Sequence, residues 1–466
     1  MFKCTGICST CGKCQSEKII ESTNQRKTRM IEYPADFVPE TDNKGFGVAF
    51  DIGTTTVVGI LRDLKSGRQI GIKARTNPQN EYGMDVISRI TFCSQSEGNL
   101  EILKNKIDDV LNQLIDELST ESDISKDEIL SVAVCGNTTM SHIFSGYSPI
   151  SLAHAPFTPA YTGVVTLTKE ESSLDVSDDA MITVLPGIAG HVGGDITSGI
   201  VATRLLSKKG LTLFIDIGTN GEIVLTDGSV SYACSTAAGP AFEGASIEYG
   251  MRATHGAIEK VEIKDGEVYF KTIDSCEPVG ICGSGLIDIV SEMIECGLID
   301  KTGRLINAEK AGEKGIHEGL IPRLIEVDKQ RQFILVYKEN GENIIITQND
   351  IREVQLAKGA IAAGTEILLK SVGKKIDDIE SIIVAGAFGN YIDKSSAKTI
   401  GLLPDVDLNK IVFAGNAAGS GVSMTLASIN EMKSAEEVPD KVKHIELAGR
   451  DDFQSIYLSS MGFRKK

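Results

Sequence analysis

The chain has no excess of positive charge: 47 Lys and Arg stand against 64 Asp and Glu, a formal net charge of −17. An acidic surface of this kind repels phosphate backbones, so nucleic acid is excluded as an expected partner. No stretch reaches 18 consecutive apolar residues, so neither a membrane-spanning helix nor a membrane partner is expected. The opening MFKCTGICSTCGKC lacks the apolar core of a secretory leader. The expected location is therefore cytoplasmic, where disulfides are rare. What remains is ordinary globular protein, 41% hydrophobic and 24% charged. At 466 residues it has length for about three domains of roughly 150 residues each. Of the ten cysteines, Cys4, Cys8, Cys11 and Cys14 fall within eleven residues. The other six lie singly in apolar or Gly-rich segments and read as small buried hydrophobes.

The tetrapeptide DIGT occurs twice, in AFDIGTTT (49–56) and FIDIGTNG (214–221), each time closing an apolar run. Around the first copy, GFGVAFDIG reads as a strand, and the next segment as two strands joined at KSGR. Leu100, Leu103, Ile107, Leu111, Leu114 and Leu118 recur every three or four residues, one apolar helix face. ILSVAVCGN and MITVLPGIAG are strands, each leading into a helix. From Leu211 the pattern returns. LTLFIDIG and two further strands come first, then a long helix in 350–373, then the strands IESIIVAGAFGN and KIVFAGNAAGSG. The order β-β-β-α-β-α-β-α therefore occurs twice, with insertions in the second half, and the chain is internally duplicated. Residues 15–44 are polar with scattered apolar residues and read as a linker or a packed arm.

An Asp at the end of a buried strand points its carboxylate beyond the sheet edge. The glycines that follow, Gly53 and Gly218, let the backbone approach a ligand closely. Successive N–H groups of such a turn form an anion-binding nest, and Thr54, Thr55, Thr56 and Thr219 add hydroxyl donors beside Asn220 and Gly221. Two such loops on facing halves can grip a polyphosphate from both sides, with Asp51 and Asp216 holding a hydrated Mg²⁺ between them. Three further Gly-rich segments leave room for a flat base and ribose. They are AAGPAFEG with Gly239 and Glu243, GICGSG with Gly283 and Gly285, and VAGAFGN with Gly386, Phe388 and Gly389.

The repeated halves, the loops DIGTTT and DIGTNGE and the segment AGAFGN resemble the superfamily of actin, acetate and sugar kinases and the large heat-shock chaperones. The resemblance implies an α/β fold of duplicated RNase-H-like domains, the actin-like ATPase fold, with ATP in the interdomain cleft. It covers residues 45–466. The implied organisation is a Cys-rich segment at 1–14, a linker at 15–44, a first domain at 45–194, an interdomain helix at 195–210 and a second domain at 211–466. GHVGGDITSGI resembles the segment where sugar kinases place a catalytic Asp, which makes Asp195 the candidate for orienting the attacking nucleophile.

A narrower resemblance rests on DIGTTTVVGIL, NPQNEYGMDVISRI, GNTTMSHI, GGDITSGI, DIGTNGEI, GPAFEGASI, GICGSGLID, REVQLAKGAI and AGAFGNYID. Together they resemble the reductive activators of corrinoid enzymes, which couple ATP hydrolysis to reduction of Co(II) corrinoid to Co(I). That likeness implies a corrinoid protein of a methyltransferase system as partner and an external low-potential electron donor. The family usually begins with a ferredoxin-like domain, whereas this chain offers C-x₃-C-x₂-C-x₂-C over Cys4, Cys8, Cys11 and Cys14. The close spacings favour an iron–sulfur cluster of the [4Fe–4S] type, with a structural Zn(Cys)₄ site as the rival. Three other readings stay open: a small-molecule kinase with Asp195 as general base, an actin-like assembly protein, and an ATP-dependent electron donor to a non-corrinoid dehydratase. The last rests on CSTAAGPAFEG, where Ser235 and Thr236 separate Cys234 from a Cys-Ala-Ala-Gly-like loop. The oligomeric state is open, a homodimer included.

Overall fold

A computed structural model describes residues 33–34, 36–40, 44–339, 341–386 and 392–463. Cys4, Cys8, Cys11, Cys14, Phe388 and Gly389 lie outside the described residues.

The first sheet is built from β1 (Phe46–Ile52), β2 (Thr56–Asp63), β3 (Gln69–Thr76), β4 (Ile129–Gly136), β5 (Val165–Leu167) and β6 (Met181–Val184), in the order β3-β2-β1-β4-β6-β5. The second half contributes β7 (Thr212–Ile217), β8 (Gly221–Thr226) and β9 (Ser231–Thr236). An insertion follows with two three-stranded sheets. One is made of β10 (Ala257–Lys264), β11 (Glu267–Thr272) and β12 (Gly280–Ile281). The other is made of β13 (Leu324–Val327), β14 (Gln330–Val336) and β15 (Ile344–Thr347). The main sheet is then completed by β16 (Ser381–Ala385), β17 (Ile411–Gly415) and β18 (Val442–His444), in the order β17-β16-β7-β8-β9-β18. Each half thus has three antiparallel strands and two parallel ones in equivalent places. The sixth strand is added at opposite ends: β5 beside β6, β18 beside β9.

The central strands carry almost continuous apolar runs because both faces of each sheet are covered. Val48, Ala49, Phe50 and Ile52 of β1 and Leu213, Phe214, Ile215 and Ile217 of β7 are buried. On one face of the first sheet lies the Asn99–Ser122 helix, which buries Leu103, Ile107, Leu111, Leu114 and Leu118, the expected stripe. Its counterpart is the Gln348–Ser371 helix, packed on β8 and β9. A capping box starts it: Asp350 N donates to Thr347 Oγ1 at 3.1 Å, and Thr347 N donates to Asp350 Oδ2 at 2.8 Å.

The other two faces meet at a helix pair. The Gly194–Ala202 helix follows β6, and the Ala417–Ala427 helix follows β17. They pack on each other, and the second also covers β1 and β4 of the opposite half. A Cβ on Gly421 would lie 1.9 Å from the carbonyl oxygen of Ser198, and one on Gly199 would lie 2.8 Å from the Phe214 ring. The Ser198 hydroxyl donates to Ala418 O at 2.5 Å. A single hydrophobic cluster therefore draws on both halves, with Ala49, Val58, Ala133, Ile196, Ile200, Phe214, Val224, Ile383 and Val422.

Residues 33–34 and 36–40 pack as an arm on this seam. Glu40 N donates to Ala427 O at 2.9 Å and Ile429 N donates to Glu40 O at 2.8 Å. Tyr33 and Phe37 cover the fully buried guanidinium of Arg62 at 4.5 and 5.3 Å from their ring centres. Arg62 Nη1 in turn donates to Ser423 O at 2.8 Å, joining β2 to the helix of the other half. The arm folds here because a buried cation needs aromatic faces and carbonyls in place of water.

The helix crossing is tested by Gly421→Ala. Its methyl group has no room beside a backbone carbonyl, so chemical denaturation should show a loss of about 1–3 kcal/mol or more. Unchanged stability would show that the crossing is not tight.

Candidate functional site

Asp51 and Asp216 are each the penultimate residue of the first strand of a hairpin, and the two registers differ by one residue. Asp51 stands opposite Val58 on β2 and beside Cys135 on β4; Asp216 stands opposite Glu222 on β8 and beside Ala385 on β16. Both strands end at the seam, where the first turn of the Gly194–Ala202 helix brings in Asp195. Asn416, the residue that caps the Ala417–Ala427 helix, donates from Nδ2 to Asp51 Oδ2 at 2.8 Å and accepts from Gly419 N at 2.7 Å. The cap of one half therefore aims the carboxylate of the other. Asp195 Oδ1 accepts from Ile196 N at 2.8 Å, and buried Glu222 accepts the Ser235 hydroxyl at 3.1 Å.

Burial pushes all four carboxyls up, and neighbouring charges push Asp195, Asp216 and Glu222 further. Asp51 rises to about 6, held back by the Asn416 hydrogen bond. Asp195 rises to about 7 through burial and the charge of Asp51. Asp216 rises to about 8 through burial and the charges of Asp195 and Asp51. Glu222 is raised well above the usual range by burial and by Asp195 and Asp216. Such a concentration of hard oxygen donors fits a divalent cation. Among the described residues no three His, Cys, Asp or Glu side chains converge closely enough to ligate one metal directly. The fit is therefore to Mg²⁺ that keeps its waters, with Asp51 and Asp216 as the residues that would hold them.

The first DIGT loop is held from behind. Asn77 Nδ2 donates to Gly53 O at 2.9 Å and Asn77 N to Thr55 O at 2.9 Å. Fully buried Arg89 donates from Nη2 to Thr54 O at 2.5 Å, and burial lowers its pKa to about 10. Asn137, the cap of the Thr138–Phe144 helix, donates to the Thr54 hydroxyl at 3.0 Å. The segment 77–90 is thus the cradle of the loop. A Cβ on Gly53 would meet Thr56 O at 2.7 Å, so the turn needs glycine. In the second loop Gly218 N donates to Asn220 O at 2.9 Å. Glu243 ties the two loops together. Its Oε2 accepts from the Thr55 hydroxyl at 2.9 Å and its Oε1 from the Thr219 hydroxyl at 2.5 Å.

The remaining candidates divide. Gly239 has φ +76° and no atom within 4 Å of a Cβ, leaving space for an approaching group. Gly386, at φ +95°, lies against the site: a Cβ there would sit 2.7 Å from Asp216 Oδ1. Thr56 is exposed at the start of β2. Gly283 is buried at a helix start, and Gly221 and Gly285 are close-packing positions. Their Cβ atoms would lie 2.7 Å from Ile361 and 2.2 Å from Ile258 O. Cys234 is a core residue of β9, with burial holding its thiol far up. Cys93, Cys135 and Cys282 are buried as well, while Cys276 and Cys296 are partly exposed. A cavity of about 930 Å³ lies between the Gly283–Glu295 and Lys394–Thr399 helices, lined by Lys260, Asp288, Glu292, Ser396 and Lys398. None of the four clustered carboxylates lines it.

Asn77, Arg89, Asn137, Asn416 and Glu222 were not singled out from the sequence. The signal for two of them was present. A Gly-Asn pair ends both β4 and β17, at 136–137 and 415–416, and each Asn caps a helix and reaches the first DIGT segment.

Two matched sheets, a shared helix seam and facing DIGT loops with acids between them define the actin-like ATPase fold. A family model described as the C-terminal domain of RACo, the ASKHA domain, matches residues 210–466, and one described as the RACo middle region matches 46–208. The corrinoid activation enzyme RamQ of Eubacterium limosum is 37% identical over 433 residues, 92% of this chain and 72% of that protein. The [Co(II) methylated amine-specific corrinoid protein] reductase of Methanosarcina barkeri is 25% identical over 451 residues, 90% of this chain and 77% of that one. The solved structure of a reductive activator for corrinoid,iron-sulfur protein superposes with a TM-score of 0.79 at 37% identity, covering 91% of this chain and 67% of that one. The chain belongs to the RACo family.

The acid cluster gives a pH test. A carboxyl whose folded pKa lies above its unfolded value of about 3.9 binds more protons when folded, so stability falls as pH rises between the two values. From the values above, the nucleotide-free protein should lose stability as pH rises from about 4 through 8. Thermal melts should show Asp216→Asn more stable than wild type at pH 8 and nearly equal to it at pH 5. A melting temperature that climbs over this range would contradict the cluster.

Proposed function

We propose that the protein is an ATP-dependent reductive activator of a corrinoid protein, taking Co(II) to Co(I) at the cost of ATP hydrolysis. The observation that carries it is the meeting of both DIGT loops with Asp51, Asp195 and Asp216 at one seam, in a chain of the RACo family. The backbone donors of the two loops and the hydroxyls of Thr54, Thr55 and Thr219 bind the phosphates from both sides. Asp51 and Asp216 would hold the waters of Mg²⁺, which would neutralise charge on the phosphates. Asp195, raised to about 7, orients the attacking water and takes its proton. The Gly283–Glu295 helix packs on the Pro240–Glu243 turn and its later residues line the 930 Å³ cavity, which offers base and ribose a place.

Electron transfer to Co(II) is a separate task. For a one-electron step each 59 mV of uphill potential costs a factor of ten. Closure of the two halves around nucleotide can offset that by favouring one state of the partner, a coupling free energy between two sites. Carboxylates and backbone donors do not pass electrons. In this proposal Cys4, Cys8, Cys11 and Cys14 hold the iron–sulfur cluster and an external low-potential donor supplies it. Among the described residues no helix is long and apolar enough to cross a membrane. A cytoplasmic location belongs to the proposal.

Asp51→Asn and Asp216→Asn should each lower ATP turnover at least tenfold at saturating Mg²⁺. Wild-type kcat in either would remove the two-sided clamp. Cys8→Ser and Cys11→Ser should abolish Co(I) formation in stopped-flow absorbance while basal ATP hydrolysis survives. Full Co(I) formation by these variants would show that electrons do not pass through the thiolate site.

A further inference from the structure

We propose that Glu243 is an internal stand-in for phosphate, a latch that occupies the two phosphate loops when nucleotide is absent and competes with it. The inference rests on the reading of this cleft as an ATP site. Thr55 belongs to the first half and Thr219 to the second, yet both hydroxyls donate to the same carboxylate, at 2.9 and 2.5 Å. A hydroxyl has one proton to give. While both protons are committed to Glu243, neither is available to a phosphate oxygen. A carboxylate and a polyphosphate cannot share the space either, because their charges repel.

The way Glu243 is mounted suits a latch. It ends the Pro240–Glu243 turn, in which Ala241 and Phe242 are buried in the core of the second half. Gly239 and Gly244 flank the turn at φ +76° and +79°. Gly244 is clamped, since a Cβ there would sit 2.6 Å from both Met251 N and Met251 O, while Gly239 has open space around it. The carboxylate is thus presented at a fixed place from the second half and reaches across the cleft to the first. Of these two hydrogen bonds the one from Thr55 joins the halves, and a phosphate must displace both to reach the two loops.

The test is calorimetric titration of the full chain with a non-hydrolysable ATP analogue and with adenosine. Glu243→Ala should bind the analogue at least tenfold more tightly than wild type, with adenosine affinity unchanged, because adenosine has no phosphates to compete. Glu243→Gln, which keeps the shape of the side chain, should show a smaller gain of about threefold; it also serves if the alanine variant does not fold. Analogue binding that is unchanged or weaker in the variants would overturn the latch and would assign Glu243 to nucleotide or Mg²⁺ binding. Equal tightening for adenosine and the analogue would overturn it too, since the effect would then not involve phosphate. Failure of wild type and variants alike to bind either ligand would refute the ATP site itself, and the latch with it.

Discussion

Where the Gly194–Ala202 and Ala417–Ala427 helices cross, the backbone of one lies on the side-chain-free surface of the other. Gly421 faces the Ser198 carbonyl with no space for a methyl group, and the Ser198 hydroxyl is satisfied by Ala418 O. This close approach sets the distance between the two sheets. Everything in the cleft follows from it. Asp51 and Asp216 end strands that converge on the crossing. Asp195 sits in the first turn of one helix, and the cap of the other, Asn416, reaches across to Asp51. A wider seam would separate the carboxylates and relax the burial and mutual repulsion that raise them.

The site is assembled by exchange between halves. Each half supplies one DIGT loop, and the first, cradled within its own half by Asn77, Arg89 and Asn137, is also held from the second. Asn416 of the second half holds Asp51 of the first, and Glu243 of the second holds Thr55 of the first. Arg62 of the first grips Ser423 of the second. The reciprocal contacts fix the relative position of the two halves at several points together.

Much of this was legible in the sequence because it is local. Strand order could be read from apolar runs and turns, and the stripe Leu103, Ile107, Leu111, Leu114 and Leu118 is buried as its spacing implies. The repeated DIGT marked both loops. The supporting residues were harder to see because their roles depend on contacts far along the chain. Arg89 lies in a helix where an arginine ordinarily faces water, and only the fold shows it buried behind Thr54. Glu222 occupies a strand position no periodicity marks as acidic chemistry, and the tight packing around Gly221 and Gly285 shows only in the fold. The sixth strands, β5 and β18, are three residues each, too short for a pattern to show. The packing of Tyr33 and Phe37 follows from Arg62, a demand made by a residue more than twenty positions away.

Arg62 has one more consequence. A guanidinium keeps its proton at any pH a cell meets, even when burial lowers its pKa as it does here. The tie it makes between β2 and Ser423 is therefore indifferent to acidity. The carboxylates a short way along the same seam change charge near neutrality. Acidification can thus discharge the cleft while the tie beside it stays fastened. The molecule keeps its two halves in alignment through conditions that alter what lies between them.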